Sequence, residues 1–253
     1  MNRIQIFKKP GVIRVFILYF LCMSLHHTLQ AQNPVLLECM NINRAYQHTP
    51  YLSFNIKYKY AYEATPSTIE DSSLAVYKMN GFKYWGKIDS VEFLQNDSFM
   101  VTLFNEDQVM SLGLPDYNYN QSLPLAKWDS LFFQNDRYSF STGVDAGSRK
   151  ITVDYNVNLP YKKFEMWYDS VSYRINRIRY VVSEFASEPE FYQLPGPGSY
   201  GVVDMTFSNY QTGVFGDSVF LASAYITHSG TGFIPAGAYE TYQLYINSPA
   251  LLR

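Results

Sequence analysis

Between Tyr51 and Glu63 the chain reads YLSFNIKYKYAYE, in which Leu52, Phe54, Ile56, Tyr58, Tyr60 and Tyr62 alternate with Ser53, Asn55, Lys57, Lys59 and Glu63. Alternation with period two over so long a run specifies a β-strand with one face buried. At about 3.3 Å per residue the run spans roughly 43 Å, about twice a common strand, so it must cross and curve around a large sheet. A chain that commits this much length to one strand is building a wall, and the rest of the sequence decides what the wall encloses.

The first 31 residues read as a removable export signal. Arg3, Lys8, Lys9 and Arg14 form a basic region, Val15 to Leu25 is apolar, and Ala31 offers a small residue for cleavage. The apolar run is short for a bilayer span, so no transmembrane anchor is expected in the mature chain. Cys22 follows Tyr19, Phe20 and Leu21, where a lipid-attached cysteine needs small neighbours. Removing 31 of the 253 residues leaves 222, enough for a single β-rich domain over 32–253. Lys plus Arg falls from 20 to 16 against 22 Asp plus Glu, a net charge of about −6. That balance argues against nucleic acid as a partner. Cys39 is the one cysteine left, so no internal disulfide is expected and stability must come from burial. The aromatic fraction of 17% suits a β-rich core.

Along the chain, 33–46 reads as a helix with Val35, Leu36, Cys39 and Met40, joined by Ile42 and Tyr46, on one side. After the long strand come Ser73 to Met79, a hairpin turn at Asn80-Gly81, and a returning strand broken by a turn or bulge at Asp89-Ser90. Ser122-Leu123-Pro124 resembles a helix start, and Leu125, Trp128 and Phe132 give that short mid-chain helix an apolar face. Further strands follow at Ile151 to Leu159, around an Asp169-Ser170 turn with a phase slip between Ile175 and Ile178, at Val202 to Tyr210, Val219 to Thr227 and Thr241 to Asn247. Residues 184–201, with Pro189, Pro195 and Pro197, form a long loop. The whole is a mainly β fold, a large curved antiparallel sheet.

No catalytic motif stands out in this chain, and a hydrolase working through two close carboxylates ranks last among the readings. Gly196, Gly198 and Gly201 match the letters of a dinucleotide fingerprint, but prolines interleave them and a strand follows, so no helix N-terminus receives a pyrophosphate. Only His48 and His228 remain after cleavage, neither with a second ligand at metal spacing, so no metal or cofactor is expected. Asp154 and Asp204 sit at polar strand positions where solvation explains them, and Arg174, Arg177 and Arg179 crowd one strand, either as a solvated face or as a contact for a carboxylate or phosphate. Asp-Ser-aliphatic recurs at Asp89, Asp129, Asp169 and Asp217; turn chemistry accounts for it, and it also resembles an O-glycosylation motif of exported proteins.

The order of elements, together with Asn80 to Trp85, Trp167-Tyr168-Asp169 and Val203 to Tyr210, resembles the periplasmic lipoprotein carrier family typified by LolA. The resemblance covers most of 33–227 and implies an open half-barrel whose concave face, covered by the N-terminal and mid-chain helices, takes up acyl chains. Phe54, Ile56, Tyr58, Trp85, Val153, Tyr155, Met205 and Phe207 are the inner-face residues that would line it. The expected function is therefore a non-enzymatic exported protein, periplasmic or else at the cell surface or secreted, that binds a lipid or lipoprotein acyl chain. The alternative is a structural subunit of an envelope assembly with a protein partner.

Overall fold

Pro34 opens a helix, α1 (Pro34–Gln47), at the position where its missing N–H leaves no bond unmade. Val35, Cys39, Ile42 and Tyr46 recur at helical spacing and are buried, whereas Met40, which the sequence places beside them, is 46% exposed. Pro50 bars continuation of the helix, and Tyr51, at φ 51°, turns the chain into the first strand. The structure is a computed structural model, in which residues 34–115, 138–155, 161–183, 200–230 and 232–252 are described. The expected signal segment, the mid-chain helix around 122–132 and the loop at 184–199 lie outside the described residues.

The strands are β1 (Leu52–Tyr62), β2 (Asp71–Asn80), β3 (Lys83–Ile88), β4 (Val91–Gln95), β5 (Met100–Phe104), β6 (Val109–Gly113), β7 (Tyr138–Asp145), β8 (Ser148–Tyr155), β9 (Tyr161–Tyr168), β10 (Ile175–Ser183), β11 (Tyr200–Thr212), β12 (Ile226–Ser229), β13 (Gly232–Pro235) and β14 (Gln243–Ile246). All but β12 and β13 form one 12-stranded sheet in the order β14-β6-β5-β4-β3-β2-β1-β11-β10-β9-β8-β7, curved and not closed. β1 lies mid-sheet, antiparallel to β2 on one side and β11 on the other, which is why its alternation is so clean. Three expectations need correction. The strand expected from Val202 begins at Tyr200, so Gly201 belongs to β11 and not to the loop. The segment expected as a strand from Val219 is two 3₁₀ turns, Asp217–Phe220 and Ala222–Ala224, followed by the short β12. The sheet is also not purely antiparallel, because β14 pairs with β6 in parallel.

The local signals that set the hairpins act as their chemistry dictates. Gly81 adopts φ 61° between β2 and β3. Asn96 Oδ1 accepts from the backbone N–H groups of Ser98 and Phe99 and turns β4 into β5, and Asp169 Oδ1 accepts from those of Val171 and Ser172 between β9 and β10. The register slips between Ile175 and Arg177, as the sequence phase requires. There the hydroxyl of Tyr46 accepts from the Ile175 N–H and that of Tyr210 donates to the Ile175 carbonyl, tying α1 and β11 to the bulge. Burial pushes the Tyr46 hydroxyl up to about 12.

The sheet carries two cores on opposite faces. Under α1, Leu52, Phe54 and Ile56 of β1 pack with Ile151, Phe164, Met166, Tyr168, Ile178 and Phe207. Toward β6 the burial changes sides: Leu94, Val101, Leu103, Met110 and Leu112 face away from α1 and pack under the C-terminal segment through Phe220, Tyr225 and Ile226. The crossover comes at β3. Tyr84 belongs to the first core and Trp85, one residue on, to the second. Gly86 lets the Tyr77 and Phe93 rings close over the α1 face at this point, since a Cβ there would lie 2.3 Å from the Phe93 ring.

Candidate functional site

The concave face is divided by α1. Its C-terminal end sits against β1 and β11, where Tyr46 contacts Phe54 edge-on at 5.9 Å and Tyr210 at 6.3 Å, and its N-terminal end reaches β8, where Glu38 pairs with Arg149 at 3.0 Å. Of the expected lining residues, Phe54, Ile56, Val153, Met205 and Phe207 are buried in this core, and Tyr58 and Tyr155 are partly buried against it. Trp85 is a correction. It belongs to the core on the other face, where its Nε1 donates to Glu92 at 2.8 Å and Lys78 lies 5.0 Å over its ring.

From the core outward the same face carries a band rich in aromatic rings, of which Phe164 and neighbouring Val153 belong to the core itself. The register aligns Tyr60, Val203, Tyr180, Phe164, Val153 and Phe140 on six successive strands from β1 to β7, a row about 24 Å across at the usual strand spacing. Tyr161 lies 5.9 Å from Tyr155 and 6.1 Å from Tyr180, while Tyr58 and Tyr77 join their hydroxyls at 3.2 Å. Tyr62 is 41% and Tyr161 45% exposed, so the band runs from the sealed core into an open rim. Tyr60 lies flat over Gly201, where a Cβ would come within 2.5 Å of its ring; only glycine permits that approach. Burial first, then the phenols of Tyr155, Tyr161 and Tyr58, push the Tyr180 hydroxyl far up, so it stays a neutral donor. The band therefore offers wide apolar ring faces with hydroxyls at their edges. Tyr60, Tyr161 and Tyr180 are not among the expected lining residues, although the alternation of β1 already places Tyr60 on this face.

The convex side is its electrostatic opposite. Glu165 bridges Lys150 at 2.6 Å and Lys163 at 3.4 Å, Arg177 grips Asp204, and Trp167 is held between Lys150 at 4.5 Å and Arg177 at 4.8 Å. Burial alone would raise the Glu165 carboxyl, but the Lys150 and Lys163 ammonium groups outweigh it and hold the group below the ordinary 4.5. A depressed carboxyl contributes stability that is complete above its unfolded value and lost as pH falls through the folded one. Urea midpoints of the wild type are thus expected to drop as pH falls below 4.5, and Glu165→Gln to show a shallower drop; parallel curves would contradict this role.

Among the described residues, no group of three or more His, Cys, Asp or Glu is placed to hold a metal ion, and no helix is long and apolar enough to cross a membrane. No family model and no curated protein matches the chain. Solved structures do. A LolA superfamily protein from Nitrosomonas europaea is 10% identical with a TM-score of 0.35, over 74% of this chain and 96% of that one. The Mycobacterium tuberculosis lipoprotein LppX is 14% identical with a TM-score of 0.40, over 73% and 99%. An uncharacterized conserved protein from Thermus thermophilus is 7% identical with a TM-score of 0.45, over 74% and 92%. At these identities the likeness assigns no residue a role.

Proposed function

We propose that this protein is an exported, non-enzymatic carrier that holds a lipid or lipoprotein acyl chain against the aromatic band of its concave face. One observation carries the reading: a row of apolar side chains crosses six strands on the α1 face, sealed at Phe164 and Val153, with the exposed rings of Tyr62 and Tyr161 beside it. A face of that kind in a folded chain calls for a cover, and an elongated apolar ligand matches its length and apolar ring faces. Tyrosine suits the task because its ring buries apolar area while its hydroxyl bonds water or a headgroup as the ligand enters and leaves. Tyr58, Tyr60, Tyr155 and Tyr180 are the lining residues of this reading, with Val153 and Met205 beneath them.

Binding by burial predicts a specific sensitivity. Introducing a charge with Tyr180→Lys should weaken binding of parinaric acid, followed by its fluorescence, at least tenfold, while Tyr180→Phe should leave it within about threefold. Native mass spectrometry of protein purified from its own envelope should show bound lipid. Absence of lipid, together with a defined protein partner in envelope crosslinking, would replace this reading by that of an assembly subunit.

A further inference from the structure

On the convex face, a cavity of about 550 Å³ opens beneath the connection from β1 to β2. This connection folds back over the sheet through bonds from the Thr65 N–H to the Tyr62 carbonyl at 3.1 Å and from the Glu70 N–H to the Tyr60 carbonyl at 2.9 Å. The fold-back brings Ile69 over the outward positions of β1, β11 and β10. Its effect is visible in β1, where Ala61, on the polar phase, is only 3% exposed, and in β11, where Val202 is 4% exposed. The cavity thus has an apolar end, made by Ala61, Val202 and Ile69, and an ionic end, made by Lys59, Arg177, Arg179 and Asp204.

The ionic end is unbalanced. Asp204 stands in register between Lys59 of β1 and Arg179 of β10, so either could have claimed it. Its carboxylate instead goes diagonally to Arg177, whose Nε donates to Oδ1 at 2.9 Å and to Oδ2 at 3.0 Å, with Nη2 also donating to Oδ2. On its other side Arg179 faces Glu165, which is already held by Lys150 and Lys163. Both carboxylates beside Arg179 are therefore spent on other cations. Among the described residues neither Lys59 nor Arg179 has an ion-pair partner, and Arg179 Nε is buried without an acceptor. A buried guanidinium donor with no acceptor is costly, and the chain carries a formal net charge of −2, so these cations are not part of a generally basic surface. Lys59 and Arg179 start from strands about 10 Å apart on the sheet, a span that two long side chains close around one oxyanion.

We infer that this convex-face cavity is a second binding site, which takes a small amphipathic oxyanion, a carboxylate or phosphate bearing a short apolar group. Arg179 and Lys59 hold the oxygens, and Ala61, Val202 and Ile69 cover the apolar part. Asp204 sets the selectivity: by occupying Arg177 it keeps the site at two available cations. The site lies across the sheet from the aromatic band and stands or falls separately from the carrier reading.

The test is calorimetric titration of the full chain with hexanoate, hexyl phosphate and, as the neutral control, hexanol. Saturable one-to-one binding is expected for at least one of the two anions and not for hexanol, and the anion that binds more tightly identifies the head group. Lys59→Gln and Arg179→Gln should each weaken it about tenfold or more. Asp204→Asn, which frees Arg177, should strengthen it several-fold, a gain that damaged folding does not produce. The inference is overturned by absence of anion binding at 10 mM or by affinity unchanged in both Lys59→Gln and Arg179→Gln.

Discussion

Phe54→Ala is expected to destabilise the protein by about 3–5 kcal/mol, the range for truncating a fully buried aromatic side chain. Phe54 is 1% exposed at the meeting point of four elements. Its ring stacks on Tyr77 of β2 at 5.4 Å and 12°, meets Tyr46 of α1 edge-on at 5.9 Å, and lies 5.9 Å from Phe207 and 5.3 Å from Tyr210 of β11. The neighbours cannot relax into the space, because the Tyr46 and Tyr210 hydroxyls are committed to each other and to the Ile175 backbone. The lost transfer energy is therefore joined by the full cavity term. The loss should appear as a lower denaturant midpoint at an unchanged slope, and Phe54→Leu should cost less than half as much. A loss below about 1 kcal/mol for the alanine variant would show that α1 does not depend on this contact.

The position of Phe54 was legible in the sequence because period two fixes which residues of a strand share a face. So were the turns at Asn80-Gly81 and Asp169-Ser170 and the slip before Ile178, where local chemistry or phase decides the outcome. Period two does not say which face of a long sheet is covered at each point. Trp85 and Tyr84 are both aromatic and adjacent, and only the arrival of the C-terminal segment on the far side puts Trp85 there. Ala61 illustrates the same limit within β1: it stands at a polar-phase position, yet the fold-back of residues 63–70 buries it. The parallel pairing of 243–246 with 109–112 had no local signal either, since neither short strand carries a mark of its partner. The same holds for Arg179, whose isolation depends on how Asp204 was claimed by Arg177 and Glu165 by Lys150 and Lys163.

Deleting residues 213–253 is expected to leave a chain that does not stay soluble in its native form. The segment supplies the only described cover for the outward face of β4 to β6, where Leu94, Val101 and Leu103 are each 1% exposed and Met110 and Leu112 are sealed at 0%. Exposing five such side chains forfeits about 10 kcal/mol at roughly 2 kcal/mol each, comparable to the whole stability of an ordinary domain. The deletion also removes β14 and leaves β6 as a bare edge beside an apolar face, the combination most prone to intermolecular pairing. A single substitution inside the same contact separates loss of cover from loss of length. Tyr225 is 7% exposed, stacks on Tyr239 at 5.3 Å and donates to Glu92 at 2.6 Å, and the same Glu92 oxygen accepts from Trp85 Nε1. Tyr225→Ala should therefore loosen the C-terminal segment, red-shift Trp85 emission and increase binding of a hydrophobic dye, while Phe54→Ala should not act preferentially on Trp85. A truncated chain that is monomeric and melts cooperatively at the wild-type midpoint would mean that the second core is not needed to keep this half of the sheet folded, and the two-faced architecture would lose its energetic basis.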